Sequence, residues 1–374
     1  MNDTSHRLLA IDAMRGLTIA IMIMVNCALW GTPVFEPLRH AAWNGLELAD
    51  LVFPWFVMIM GISVALSLRR FDFKPCSVAV RKILKRTILI FAVGIALDLT
   101  EKWMSGGAES LSLSNLRILG VLPRLALSYG GAALIALYVS ERGIKRIVVS
   151  TLTIYALLLL LFKGFEPSTD NIVARVDLAI LGENHMYHDW VPERIAFDPE
   201  GLLGTLPSIA HTLIGYLIGR MLIAVHNNRE RVYNLMIFGS ILAILGYALS
   251  AGLPINKKVW SPTFVLESCG LGAMLLGLLI WAIDIKGYRG WTPAVTVFGV
   301  NPLALYVLSS LLGTAVWIIP IGDVSLPAWM YVEWLEPLFG AESGMPSLTF
   351  SLIIVAICWI AGYPLWKRGI YIKL

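Results

Sequence analysis

Ten runs of apolar residues, each close to twenty residues long, recur along this chain at roughly 9–30, 48–69, 82–99, 116–139, 147–163, 203–225, 233–252, 263–283, 293–318 and 347–366. A helix rises 1.5 Å per residue, so about 20 residues cross the ~30 Å hydrocarbon core of a bilayer, and each run is predicted to be a membrane span. Composition excludes the soluble alternative. With 57% hydrophobic and 14% charged residues, a chain of 374 residues has no interior large enough to hide its apolar surface from water. The expected fold is an all-α polytopic integral membrane protein of about ten transmembrane helices, organised as one domain over 1–374, with no internal repeat and no interdomain linker. The first run keeps Asp12 and Arg15 and lacks a small-residue cleavage site, so it reads as a retained span rather than a signal peptide. Four scattered cysteines give neither a disulfide framework nor a metal-ligand spacing.

Charge sets the expected orientation. Arg69, Arg70, Lys74, Arg81, Lys82, Lys85 and Arg86 follow the second run; Arg142, Lys145 and Arg146 the fourth; Arg220, Arg229 and Arg231 the sixth; Lys286 and Arg289 the eighth. The excess of Lys and Arg marks these connections as cytoplasmic, which puts both termini inside. Lys257 and Lys258 dissent and are outvoted. The outer face then carries the loop around His40, a 100–115 loop, a long 164–202 segment and a 319–346 segment without Lys or Arg. A net charge of +4, clustered in short loops, is topology bias and not a nucleic-acid surface.

Chemistry is concentrated where a loop hands over to the second span, in EPLRHAAWNGLELADLVFPWFVMIMG. His40 is able to take a proton from a nucleophile, and Asp50 is able to orient it, because an Asn-Gly turn (Asn44, Gly45) lets the loop fold back. The plainer reading is a solvated histidine beside an aspartate that favours a helix N-terminus. Other polar residues inside or beside the spans cost free energy in lipid and need a reason. Asn26 suits an oxyanion donor or an interhelical hydrogen bond, and Asp12 with Arg15 an ion pair. Arg117 and Arg124 suit phosphate or sugar contacts, or snorkelling. His185, His188 and Asp189 look like a metal cluster only superficially, so no metal is expected. Asp198 and Glu200, just before the sixth span, suit a hydroxylated or amine substrate, or a helix start.

The stretch HAAWNGLELADLVFPWFVMIMG resembles the defining segment of the membrane acetyltransferases related to lysosomal heparan-α-glucosaminide N-acetyltransferase. LLAIDAMRGLTIAIMIMVN, NLRILGVLPRLALSY, DPEGLLGTLPSIAHTLIGYLIGR, LPINKKVWSPTFVLESCGLG and FGVNPLALYVLSS are similar to further parts of that family, so the resemblance runs nearly end to end. Without the extra N-terminal region of the lysosomal enzyme, the chain looks like the bacterial type, placed in the inner membrane. The resemblance implies acetyl transfer from cytosolic acetyl-CoA to the amine of glucosamine or a glucosamine-containing glycan. It implies His40 as the catalytic residue, with Asn26 and Asp50 as companions. Basic groups such as Arg15, Arg86 or Arg289 are then expected at the inner mouth, holding the nucleotide of acetyl-CoA while its pantetheine arm threads toward His40. Asp198, Glu200, His185 and Arg124 are the candidates for the acceptor. Expected partners are the bilayer, acetyl-CoA, an amino sugar and, as an option, further copies of this chain in a homo-oligomer. The competing readings are a proton-coupled amino-sugar transporter and an O-acyltransferase acting on an envelope glycan.

Overall fold

The computed structural model describes residues 8–29, 31–190 and 194–372. Every apolar run is a helix or a pair of helices. In chain order they are α1 (Leu9–Asn26), α2 (Leu48–Leu68), α3 (Ser77–Gly106), α4 (Val121–Tyr138), α5 (Glu141–Leu161), the short α6 (Ile172–Leu181), α7 (Thr205–Ala224), α8 (Asn228–Leu249), α9 (Pro262–Leu279), α10 (Thr292–Val300), α11 (Pro302–Ile318), the short α12 (Leu326–Met330) and α13 (Glu336–Phe339), and α14 (Met345–Lys367). Among the described residues eight helices are long and apolar enough to cross a bilayer, and α10 with α11 forms a ninth, broken crossing. The tenth expected span is α3, which is 30 residues long but carries Arg81, Lys82, Lys85 and Arg86 in its first turns.

Two segments differ from the sequence-based expectation. The run at 293–318 is not one straight helix: it bends by 88° between α10 and α11. Pro302 has no N–H to continue the ladder and disfavours helical backbone at Asn301. The freed Asn301 side chain instead donates to the Ile370 carbonyl (2.9 Å) and accepts from the Ile372 N–H (2.7 Å), tying the C-terminal segment to the break. The 164–202 connection is also more ordered than its composition suggests. It contains α6 and an antiparallel hairpin of β1 (His188–Trp190) and β2 (Arg194–Ala196), with His188 opposite Ala196.

The helices sort into an inner and an outer set. The spanning window of α2 is 78% buried, and α2 packs on α1, α4, α7 and α9, whereas that of α8 is 17% buried and presents Ile237, Ile241 and Ile244 outward to lipid. Small residues let the inner helices meet backbone to backbone. A Cβ on Gly61 of α2 would run into the Thr212 carbonyl of α7, and one on Gly215 of α7 into the Met58 carbonyl of α2.

The four connections expected on one face, and the Lys257 loop with them, do gather at one end of the bundle. Gly45 N–H donates to the Ile255 carbonyl and Trp43 Nε1 to the Phe165 carbonyl. Arg117 reaches Asp198, and Leu29 N–H reaches Ser347 Oγ. The first and last described residues lie toward the other end, where Ala10 N–H meets Asp284 and the 370–372 segment meets Asn301.

Candidate active site

The site is built at the first turn of α2. Glu47 caps the helix, and Asp50 closes a reciprocal capping box with it. One oxygen of Asp50 accepts from the backbone N–H of Glu47 and of Ala41, both at 3.1 Å. The other accepts from His40 Nδ1 at 2.7 Å. Asp50 is therefore both helix cap and histidine partner, so the two readings of this residue describe one geometry. With Nδ1 carrying the proton toward the carboxylate, the lone pair of His40 is on Nε2. The Asp50 side chain is 1% exposed and that of His40 is 44% exposed, so the pair has a dry anchor and an open reactive edge.

The loop that carries His40 is pinned at three successive residues. Trp43 donates to Phe165, Asn44 Oδ1 accepts from Asn256 Nδ2 (3.0 Å), and Gly45 donates to Ile255 (2.9 Å). Gly45 sits at φ +125°, which side chains other than glycine's resist.

The partner loop supplies a residue that sequence reasoning did not place in the site. Lys257 Nζ lies 3.1 Å from His40 Nδ1, 3.5 Å from His40 Nε2 and 3.4 Å from Asp50 Oδ1. It is aimed by a tight turn in which Ser261 N–H bonds the Asn256 carbonyl, Trp260 N–H the Lys257 carbonyl and Asn256 N–H the Ser261 hydroxyl. Trp260 holds a left-handed φ of +52° in this turn, and its indole is clamped between Phe53, Phe264 and His211. Such strain persists only where surrounding packing enforces it. Burial holds the Lys257 ammonium below its ordinary value, and the carboxylates of Asp50 and Glu200 offset only part of that. The neighbouring Lys258 pairs with Asp189 at 2.6 Å. The two lysines that dissented from the charge bias are thus each paired with a carboxylate. The signal that could have found Lys257 was that dissent.

Next to this centre the acceptor candidates form a second cluster. Arg117 binds both Asp198 oxygens, at 2.9 and 2.6 Å, and Glu200 at 2.7 Å. Burial opposes the charge on Arg117, but Asp198 and then Glu200 raise its guanidinium above the ordinary value. Asp198 also accepts from the N–H groups of Tyr187 and Glu200, which leaves its carboxylate fully committed within the protein. Glu200 faces Lys257 closely enough to perturb it, so it connects the two clusters. Arg124 is buried, donates to the Gly201 carbonyl at 2.7 Å and lies over the Trp260 ring. His185 Nδ1 bonds the Leu116 carbonyl at 2.8 Å. Burial pushes nearby Asp177 up to about 6, against the hydrogen bond it accepts from Leu202.

Among the described residues no hydrogen bond joins the remaining candidates to the His40–Asp50 pair. Asn26 is the last residue of α1, exposed, and among the described residues no hydrogen bond joins it to His40. Arg15 bonds Asp12, Ser63 and the Gly299 carbonyl, and Arg289 bonds the Ile283 carbonyl, both at the end of the bundle away from His40. Arg86 lies over Tyr129 on a different helix pair, α3 and α4. Among the described residues no group of three or more His, Cys, Asp or Glu is arranged to hold a metal ion.

Fold and site together define a polytopic membrane protein with a carboxylate-oriented histidine open to one face. The chain matches the family described as heparan-alpha-glucosaminide N-acetyltransferase, catalytic, over residues 7–251, and it belongs to that family. It is 27% identical to heparan-alpha-glucosaminide N-acetyltransferase of Mus musculus over 427 aligned positions, covering 100% of this chain and 61% of the mouse protein. It is 26% identical to the Homo sapiens protein of the same name, covering 98% of this chain and 60% of the human one. The chain thus spans about three fifths of the length of these relatives.

Proposed function

We propose that the protein transfers the acetyl group of acetyl-CoA to the amine of glucosamine or of a glucosamine-containing glycan, with His40 as the base. The observation that carries this reading is the 2.7 Å bond from His40 Nδ1 to buried Asp50, which leaves Nε2 as an open lone pair. An amino sugar at neutral pH is mostly ammonium, and only the fraction that has lost a proton to water, as the free amine, attacks a thioester. Nε2 takes the amine proton as the C–N bond forms. The tetrahedral intermediate then expels the CoA thiolate, and the imidazolium returns the proton to that sulfur, so no further co-reactant is needed. Glu200, with one oxygen on Arg117, is the carboxylate placed to attract the incoming ammonium, and Asp198 fixes Arg117. His185 and Arg124 shape the wall behind them, and Asn26 is proposed as an amide donor to the oxyanion.

The positive-inside rule places the end with the chain termini in the cytoplasm and the His40 end outside, across a membrane that we take to be the bacterial inner membrane. The donor therefore reaches the site from the opposite mouth. At that end an open, largely apolar cleft of about 770 Å³ is lined by Cys76, Val80, Arg81, Leu84, Lys85, Ile88 and Tyr138, with Arg86 on the same helix but outside its lining. It suits the nucleotide of acetyl-CoA, while Arg15 and Arg289 mark the alternative mouth. Incubation of the purified protein with acetyl-labelled acetyl-CoA and glucosamine is expected to yield labelled N-acetylglucosamine. Absence of any acetylated product leaves the transporter reading, and label on a hydroxyl leaves the O-acyltransferase reading.

The orienting role of Asp50 has its own test. Asp50→Asn removes the charge that favours the imidazolium. The rate at subsaturating acceptor is expected to fall, and the acid limb of its pH profile to move to lower pH by roughly one unit. A variant that keeps the parent's rate and inflection assigns Asp50 to helix capping alone.

A further inference from the structure

We infer that Lys257 is a positioning residue for the reaction: its ammonium lies against the His40 ring and Asp50 together, balancing the carboxylate while holding the imidazole in its uncharged, proton-accepting form. The inference rests on His40 acting as the base, and deepens that reading.

The contact with Nδ1 is not an ordinary hydrogen bond, and the acceptors that remain to the ammonium, Nε2 and Asp50 Oδ1, lie farther off at 3.5 and 3.4 Å. Lys257 Nζ is 3.1 Å from Nδ1 and 3.5 Å from Nε2, nearly equidistant from the two ring nitrogens. Nδ1 is committed as a donor to Asp50 at 2.7 Å and has no lone pair to offer an ammonium. Lysine, a compact point charge, acts here through its field. Two charged groups act on His40 in opposite senses: Asp50 from α2 stabilises the imidazolium, and Lys257 from the 250–261 turn destabilises it. Lys257 in turn is faced by Asp50, His40, Glu200 from the segment before α7, and its neighbour Lys258. Asp50 keeps its two backbone N–H donors whether or not the lysine is present, so the carboxylate does not depend on Lys257 for satisfaction.

Charge bookkeeping gives the consequence. In the proton-accepting form of His40, the carboxylate and the ammonium cancel. When Nε2 takes the amine proton, an imidazolium is created about 3 Å from a fixed cation. That repulsion makes the imidazolium a stronger acid, which hands its proton promptly to the departing sulfur. The lysine thus trades some ease in the first proton transfer for speed in the second.

The test is a histidine NMR titration of the full chain in nanodiscs, with labelled imidazole and the His40 signal assigned by its loss in His40→Gln. Lys257→Met, or Lys257→Gln should Met disturb folding, is expected to raise the His40 titration midpoint by roughly one to three units. Lys257→Arg, which keeps the charge, is expected to hold it near the parent's value. The acid limb of the acetyl-transfer rate is expected to shift with the midpoint, so that the charge-removing variants lose activity at neutral pH and regain it at alkaline pH. A midpoint that is unchanged in both charge-removing variants overturns the inference, because a purely structural lysine would alter stability and leave the titration in place. A midpoint that moves as expected, in a protein that forms no acetylated product, retains the electrostatic role and rejects the proposed reaction.

Discussion

His40→Ala is expected to lower acetyl transfer by roughly 10² or more, the usual scale for losing a general base, while leaving the helix bundle folded. The second half of that expectation follows from the loop's construction. The imidazole contributes one hydrogen bond, to Asp50, and it is the more exposed partner of the pair. Without it Asp50 still accepts from Ala41 and Glu47 and still faces Lys257, so no buried charge is stranded. The loop remains fastened at Trp43, Asn44 and Gly45. Initial rates beside a thermal melt in the same detergent separate the two effects. A variant with near-parental rate rejects His40 as the base, and one with a collapsed melt rejects the account of how the loop is held.

The largest stability effect is expected at Arg117. Arg117→Met removes the bidentate partner of Asp198, whose side chain is fully buried, and also frees Glu200. Stranding a buried carboxylate costs about 3–5 kcal/mol, far more than the net worth of the pair itself. The two backbone donors that remain to Asp198, from Tyr187 and Glu200, offset only part of this. The double variant Arg117→Met with Asp198→Asn is expected to recover much of the loss, because it removes the stranded charge. Thermal unfolding of the two single variants and the double variant measures the coupling. Equal melts for parent and Arg117→Met would show that the cluster is solvated and carries no load.

The spans were legible because lipid imposes a length. Any run near twenty apolar residues must cross or be buried, and all ten runs correspond to helices. The break at Asn301 was less visible, because hydropathy averages over Pro302 and a bend leaves the window score unchanged. α6 is 10 residues long and the hairpin strands three each, too short for periodicity to separate from a loop. At the site, the closeness of His40 and Asp50 could be anticipated from a ten-residue separation with a turn between. Lys257 showed only as a charge on the unexpected face, because its place beside His40 comes from a contact spanning 217 positions in the chain. Its companion Arg117 read equally well as a snorkelling residue, since sequence gives no sign of which carboxylates a loop arginine will meet.

Lys257 and Lys258 also bear on how the chain is put together in the membrane. On the proposed orientation, the loop between α8 and α9 must be translocated carrying two positive charges against the prevailing bias, at a stage when neither has a partner. The anions that neutralise them, Asp50 and Asp189, sit on segments already delivered to that side. On that orientation, attraction to these carboxylates favours docking of the loop once α8 and α9 are inserted. Because the same docking brings Lys257 to His40, a partly inserted chain has no finished centre. On the proposed reaction, the His40 centre is complete only once α8 and α9 have joined the bundle.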